Sequence, residues 1–136
     1  MYDTTGADNR NKQHNRTFAD VQADTLTNGG GTFDIATLEP VSFADGYIVG
    51  VGSLGALFVK DFSQELLGRI VDGARVSGVT GLFGTWIDGP LGAKVYIDRV
   101  VYTPFDVIAR ELQRIGSELC VYDCKAGKSV DLLVES

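Results

Sequence analysis

An α+β fold is predicted for this chain of 136 residues, an antiparallel sheet with two helices packed on one of its faces. Three observations carry the prediction. Two stretches combine a helix-capping residue with an apolar stripe at helical spacing. Segments rich in β-branched and aromatic residues pair around glycine-bearing turns. The order, hairpin then helix, recurs, so the body is expected to run ββα-ββα-ββ.

Taken in order, residues 1–31 stand apart. They are rich in Asn, Asp, Thr, Gln and Gly and end in "NGGG". Tyr2, Phe18, Val21 and Leu26 carry nearly all their apolar bulk, too little for a core. A polar arm that contributes little to the core is expected, flexible unless it docks on the body or on a partner, with the α+β domain spanning 32–136. "RTFADVQADTL" is compatible with a short helix, although its apolar spacing is irregular.

The body opens with "GYIVGVGSLGALFV", residues 46–59, read as two strands joined by a turn at Ser53-Leu54-Gly55. Gly50, Gly52 and Gly55 match the G-x-G-x-x-G spacing of a dinucleotide loop. That motif requires a helix directly after it to receive the pyrophosphate, and here an apolar strand follows. The glycines are therefore assigned to the turn and to close backbone contact within a sheet. A helix follows over Ser63 to Gly73, with Ser63 as N-cap and Phe62 and Leu67 placed for a hydrophobic staple. Leu66, Leu67, Ile70, Val71 and Ala74 form its apolar face.

The second hairpin pairs "GLFGTWID" with "AKVYID" across a "GPLG" turn. A second helix is expected over Pro104 to Ile115, with Thr103 as N-cap, Pro104 at N1 and Gly116 just past its end. Phe105, Ile108, Leu112 and Ile115 are expected as its buried stripe. The two hairpin-plus-helix units resemble an internal duplication spaced by ~35–40 residues. A last strand pair, "ELCVYD" and "SVDLLV", brackets "CKAGK". "CKAGKS" is no phosphate loop, because Tyr122 stands where its first glycine should be. Gly127 is read as a hairpin-turn residue.

The chemistry-bearing residues point away from catalysis. The single histidine, His14, lies in the arm, so no Ser–His or Cys–His pair is in reach within the body. Cys120 and Cys124 would stand on one face of an extended strand but ~13 Å apart, too far for a disulfide. Two cysteines and a distant histidine do not complete a zinc site. Asp88, Asp98, Asp123 and Asp131 read as solvated strand ends and turns. No catalytic, cofactor-binding or metal-ligating set is expected, and no cofactor. The residues singled out as a partner-binding surface are the strand aromatics Tyr47, Trp86, Tyr96 and Tyr122, if they face away from the helices.

Charge narrows the partners. Eighteen acidic against twelve basic residues give a net charge of -6, which disfavours non-specific nucleic-acid binding. No apolar run reaches the ~20 residues of a membrane span. The polar beginning has no signal-peptide core, so a cytoplasmic protein is expected.

"GYIVGV", "LFGTWID...GAKVYIDRVV" and "ELCVYD...GKSVDL" together resemble a loose group of small uncharacterised proteins carried by phages and other mobile elements of Gram-positive, especially actinobacterial, hosts. The likeness covers about two-thirds of the chain, and its motifs are structural. It implies a mobile-element setting inside a bacterial host and brings no catalytic residues with it. Three classes of function stay open. The first is a small non-enzymatic protein that engages a host or phage protein, such as a defence or regulatory factor. The second is a virion or assembly component that reaches a neighbour through its arm. The third is an enzyme or small-ligand binder on a β-rich scaffold, which a deep pocket with convergent polar groups would support. A homo-oligomer is compatible with each.

Overall fold

The computed structural model describes residues 16–89, 93–118 and 120–134. The first half of the expected arm, with Tyr2 and His14, and Pro90, Leu91 and Gly92 of the second hairpin turn lie outside the described residues. Among the described residues the chain is α+β. Three helices, α1 (Phe18–Asn28), α2 (Gln64–Val76) and α3 (Asp106–Gly116), accompany six strands. The strands are β1 (Gly30–Asp34), β2 (Tyr47–Phe58), β3 (Leu82–Asp88), β4 (Lys94–Thr103), β5 (Val121–Asp123) and β6 (Lys128–Val130). They form one antiparallel sheet in the order β1-β3-β4-β2-β5-β6.

The arm reading is corrected over residues 16–31. Thr17 and Asp20 form a reciprocal capping box that starts α1, and Gly29, at φ 82°, ends it in the left-handed conformation that glycine adopts without a Cβ penalty. Val21 is fully buried in the core, and the buried hydroxyls of Thr25 and Thr85 lie 2.6 Å apart. Arg16 bonds the Asp24 carboxylate and the Leu38 carbonyl, while the Gln22 amide reaches the Phe62 carbonyl. β1 follows immediately and pairs with β3, from Gly30 opposite Trp86 to Asp34 opposite Leu82. A mostly polar helix docks here because one buried valine and a hydroxyl pair suffice when neighbouring elements supply the remaining apolar surface.

The first hairpin is corrected as well. Residues 47–58 are one continuous strand, with no turn at Ser53-Leu54-Gly55. β2 pairs with β4 along its length, and its two surplus residues are absorbed as bulges between Gly50 and Gly52 and between Ser53 and Gly55. Gly50, Gly52 and Gly55 all keep negative φ, so none serves a left-handed turn. Because both halves of the expected first hairpin are this one strand, the first unit is not a hairpin and the expected duplication does not extend to strand pairing. The second hairpin stands as expected, with Trp86 opposite Tyr96 and Asp88 opposite Lys94. The closing pair forms around Gly127, which turns at φ 70° and donates to the Asp123 carbonyl, but its strands are only Val121–Asp123 and Lys128–Val130, and the expected strand does not continue through residues 131–134.

α2 is capped by Ser63, whose hydroxyl accepts from the Leu66 N–H, and the staple pair Phe62 and Leu67 is buried. The helix runs past Gly73 to Val76, and Arg75 in its last turn donates to the Ile35 carbonyl. With Val21, Phe33, Phe83, Val95 and Ile97, α2 builds the larger core through Leu67, Val71 and Ala74.

α3 departs from expectation. It starts at Asp106, because Thr103 ends β4 and its hydroxyl accepts from the Phe105 N–H; the left-handed residue after it is Ser117, not Gly116. Its buried positions are Ala109 and Gln113. Phe105, Ile108 and Ile115 are 62%, 45% and 68% exposed, and Leu112 is only partly buried. The small Ala109 lets the helix approach Val49 of β2, Val121 of β5 and Leu132, which form the second core. Gln113 is tolerated inside because its amide group donates to the Glu118 carbonyl and the Asp131 carboxylate and accepts from the Leu132 N–H.

Two outcomes check this description. Leu67→Ala should cost about 2–5 kcal/mol in a denaturant titration, whereas Ile108→Ala should stay within about 0.5 kcal/mol; equal losses would place the α3 stripe inside. Deleting residues 16–30 should lower the unfolding midpoint clearly, because it removes Val21, Thr25 and the start of β1. An unchanged midpoint would restore the arm.

Candidate functional site

The side of the sheet away from the core is concave. Alternation along the strands separates the two sides: Val95, Ile97 and Val101 of β4 reach the cores, while Asp98 and Val100 do not. Likewise Val49 of β2 points to the core and Ile48 and Gly50 to the other side, and Phe83 of β3 alternates with Gly84 and Trp86. A cleft of about 680 Å³ lies on this second side, and every one of the six strands contributes to its lining. Six strands at ~4.8 Å spacing make it up to roughly 24 Å long, measured along the sheet.

The floor is low because it is poor in side chains. Gly30, Gly84 and Gly50 come from three different strands. At Gly50 a Cβ would stand 3.3 Å from Oε1 of Glu118, so the glycine leaves room for that carboxylate to lie over β2. Aromatic rings frame the floor. Trp86 is 48% and Tyr122 43% exposed, and Phe43, from the loop before β2, stacks on Tyr102 with ring centroids 3.7 Å apart.

Two carboxylates face this space. Asp98 is half-buried, and its carboxyl titrates above the usual carboxylate range, first because burial strips its hydration and second because the Glu118 charge repels its own. Glu118 is placed by the end of α3: Ser117 turns the chain in the left-handed conformation, and the Glu118 N–H and carbonyl are both held by Gln113. Among the described residues no hydrogen bond or ion pair reaches either carboxylate group. Cys120 and Cys124, both free, flank β5 and line the same cleft; burial pushes the Cys124 thiol up, with Asp123 and Asp45 adding to it. Lys128 lines it from the edge strand β6. No cluster of three or more metal-ligating side chains occurs among the described residues.

The four aromatics singled out from the sequence separate. Trp86 and Tyr122 line the cleft, and Tyr96 is the cross-strand partner of Trp86, half-buried beside it. Tyr47 lies on the other side, packed on the second core, where burial and then Asp123 and Asp106 raise its phenol. Of the acidic residues, Asp123 accepts from the N–H groups of Lys125 and Ala126 in the closing turn, and Asp131 accepts from Gln113 and Leu133. Asp98 alone of the four is aimed into the cleft. The sequence reading of Asp98 as a solvated strand end or turn is corrected: it sits inside β4, half-buried, on the side away from the core. Glu118 carried no local signal, since only the end of α3 brings it over Gly50. The chain has no helix long and apolar enough to cross a membrane among the described residues. Comparison with protein-family models, with characterised proteins and with solved structures found no match.

The raised Asp98 carboxyl fixes the sign of a pH effect. The native state holds this proton more tightly than the unfolded chain, so ionising Asp98 above its native pKa costs stability. Asp98→Asn should therefore raise the unfolding midpoint near pH 7, with the gain shrinking as pH falls to about 4, where the unfolded aspartate also takes up its proton. A gain that is independent of pH would assign the effect to packing.

Proposed function

We propose that the chain is a small non-enzymatic binding protein that engages a protein partner through the concave side of its sheet. The observation that carries this reading is the cleft itself, an open trough crossed by all six strands and edged by exposed Trp86 and Tyr122. Partly exposed tryptophan and tyrosine around a desolvated centre are the side chains that most often anchor protein interfaces. A length of up to roughly 24 Å suits an extended segment of about seven residues at ~3.3 Å each better than a compact molecule. A partner inside a bacterial host, of the host or of a mobile element, is part of this proposal, and the sequence resemblance alone motivates it.

One observation favours a small-ligand site as the second reading: about 680 Å³ falls within the usual size of such pockets, and Asp98 and Glu118 converge on it. The assembly reading loses support, because residues 16–31 are spent on the body.

The test is affinity purification of the tagged chain from its native cells, with a Trp86→Ala/Tyr122→Ala variant in parallel. A protein that co-purifies with the wild type should be lost at least about tenfold from the variant, whose melting transition should be nearly unchanged. Retention by that variant, with loss on Ile108→Ser, would move the interface to α3.

A further inference from the structure

We infer that the segment received by the cleft presents a positively charged side chain, with arginine the best fit, between Asp98 and Glu118. The inference rests on the binding reading above and adds the chemistry of what is bound. Its first support is that the cleft holds two carboxylates with no donor. Charged groups drawn from water are ordinarily paired or hydrogen-bonded, and leaving them otherwise costs stability. Among the described residues neither the Asp98 nor the Glu118 carboxylate has such a partner, and the two repel each other. A cation placed between them turns that repulsion into attraction on both sides.

The second support is independent of the carboxylates. The rim is aromatic: Trp86, Tyr122 and Phe43 line the same space, Phe43 with one face stacked on Tyr102. Aromatic faces attract organic cations, tryptophan most strongly, and a guanidinium both stacks on such rings and bonds a carboxylate through two parallel N–H groups. A bare divalent ion is the poorer fit: calcium takes six to eight oxygen ligands, and magnesium demands a complete octahedron. Two carboxylates beside aromatic rings supply neither.

Lys128 does not already fill this role. It stands on β6, three strands away from Asp98, roughly 14 Å along the sheet. No ion pair joins it to Asp98 or Glu118 among the described residues. It sits at the far end of the trough, where it would meet an acidic or carbonyl group of the same segment.

The inference is tested with the full-length ¹⁵N-labelled chain, titrated with N-acetyl-arginine amide and, separately, with N-acetyl-citrulline amide. Citrulline has nearly the shape of arginine and no charge. Arginine amide should produce saturable shifts of the Gly50 and Gly84 amides and of the Trp86 indole N–H. Citrulline amide should bind at least about tenfold more weakly, and Asp98→Asn and Glu118→Gln should each weaken arginine amide at least about fivefold. The amide spectra of the two variants show directly that each remains folded. Equal binding of arginine and citrulline would overturn the charge inference and leave the cleft as a binding surface. Shifts confined to α3, or none in the cleft with either probe, would overturn it too; if the co-purified partner also survives Trp86→Ala/Tyr122→Ala, the cleft reading falls with it.

Discussion

The two bulges in β2 set the shape of everything around them. A strand of twelve residues is laid against one of ten, and Val51 and Leu54 are the residues left over. One bulge would reverse which side chains face the core beyond it, because side chains alternate with a period of two. Two bulges restore the alternation, so Val49 at one end and Leu57 at the other both face the core. Bulges of this kind bend a strand and increase its local twist. The apolar residues gather in two clusters, one under α1 and α2 and one under α3. Where the clusters part, Arg99 opposite Gly52 is exposed.

α3 shows how a helix answers to the surface it meets. Phe105, Ile108 and Ile115 of its apolar stripe point away from the second core, Leu112 packs at that core's edge, and a narrower face of Ala109 and Gln113 points inward. Ala109 gives close approach and Gln113 gives hydrogen bonds, and both are needed because α3 must hold two chain segments at once. The glutamine side chain binds the segment after the helix through Glu118 and the C-terminal segment through Asp131 and Leu132. A leucine at this position would bury more apolar surface, leave the Leu132 N–H without its acceptor and cost the Asp131 carboxylate one of its two donors, the Leu133 N–H being the other. Glu118 is thus fixed over β2 by a polar contact inside an apolar cluster.

The cleft and the core ask opposite things of the chain. Asp98, half-buried and repelled by Glu118, weakens the fold when ionised, and a cation between the two carboxylates would remove that penalty. Stability withheld at a site and recovered on binding is a common arrangement in proteins whose sites must be open when empty. The glycine floor serves the same end, since side chains there would fill the trough with the protein's own atoms.

Much of the local structure was legible in the residues. Ser63 with the Phe62–Leu67 staple announced α2, the "GTWID" and "KVYID" segments announced the β3–β4 hairpin, and Gly127 announced the closing turn. Each of these signals acts over a few residues, through a cap, a strand period or a left-handed glycine. Asp98 read as a solvated strand end, because the sequence alone does not show that a carboxylate inside a strand is covered by a distant residue such as Glu118. What the tertiary structure alone decided depends on partners distant in sequence. β2 runs through Ser53-Leu54-Gly55 because β4 is there to pair with its whole length, although an isolated chain would offer a turn. α1 docks because β3 supplies Thr85 and α2 supplies a surface. α3 turns its apolar stripe outward because hydrogen bonds to three other positions outweigh the stripe's own burial. Asp98 and Glu118, twenty residues apart, meet because Gly50 leaves space between them. Helix rotation, strand partnership and the meeting of two charges are free energies of pairs, and a single stretch of sequence holds only one member of each pair.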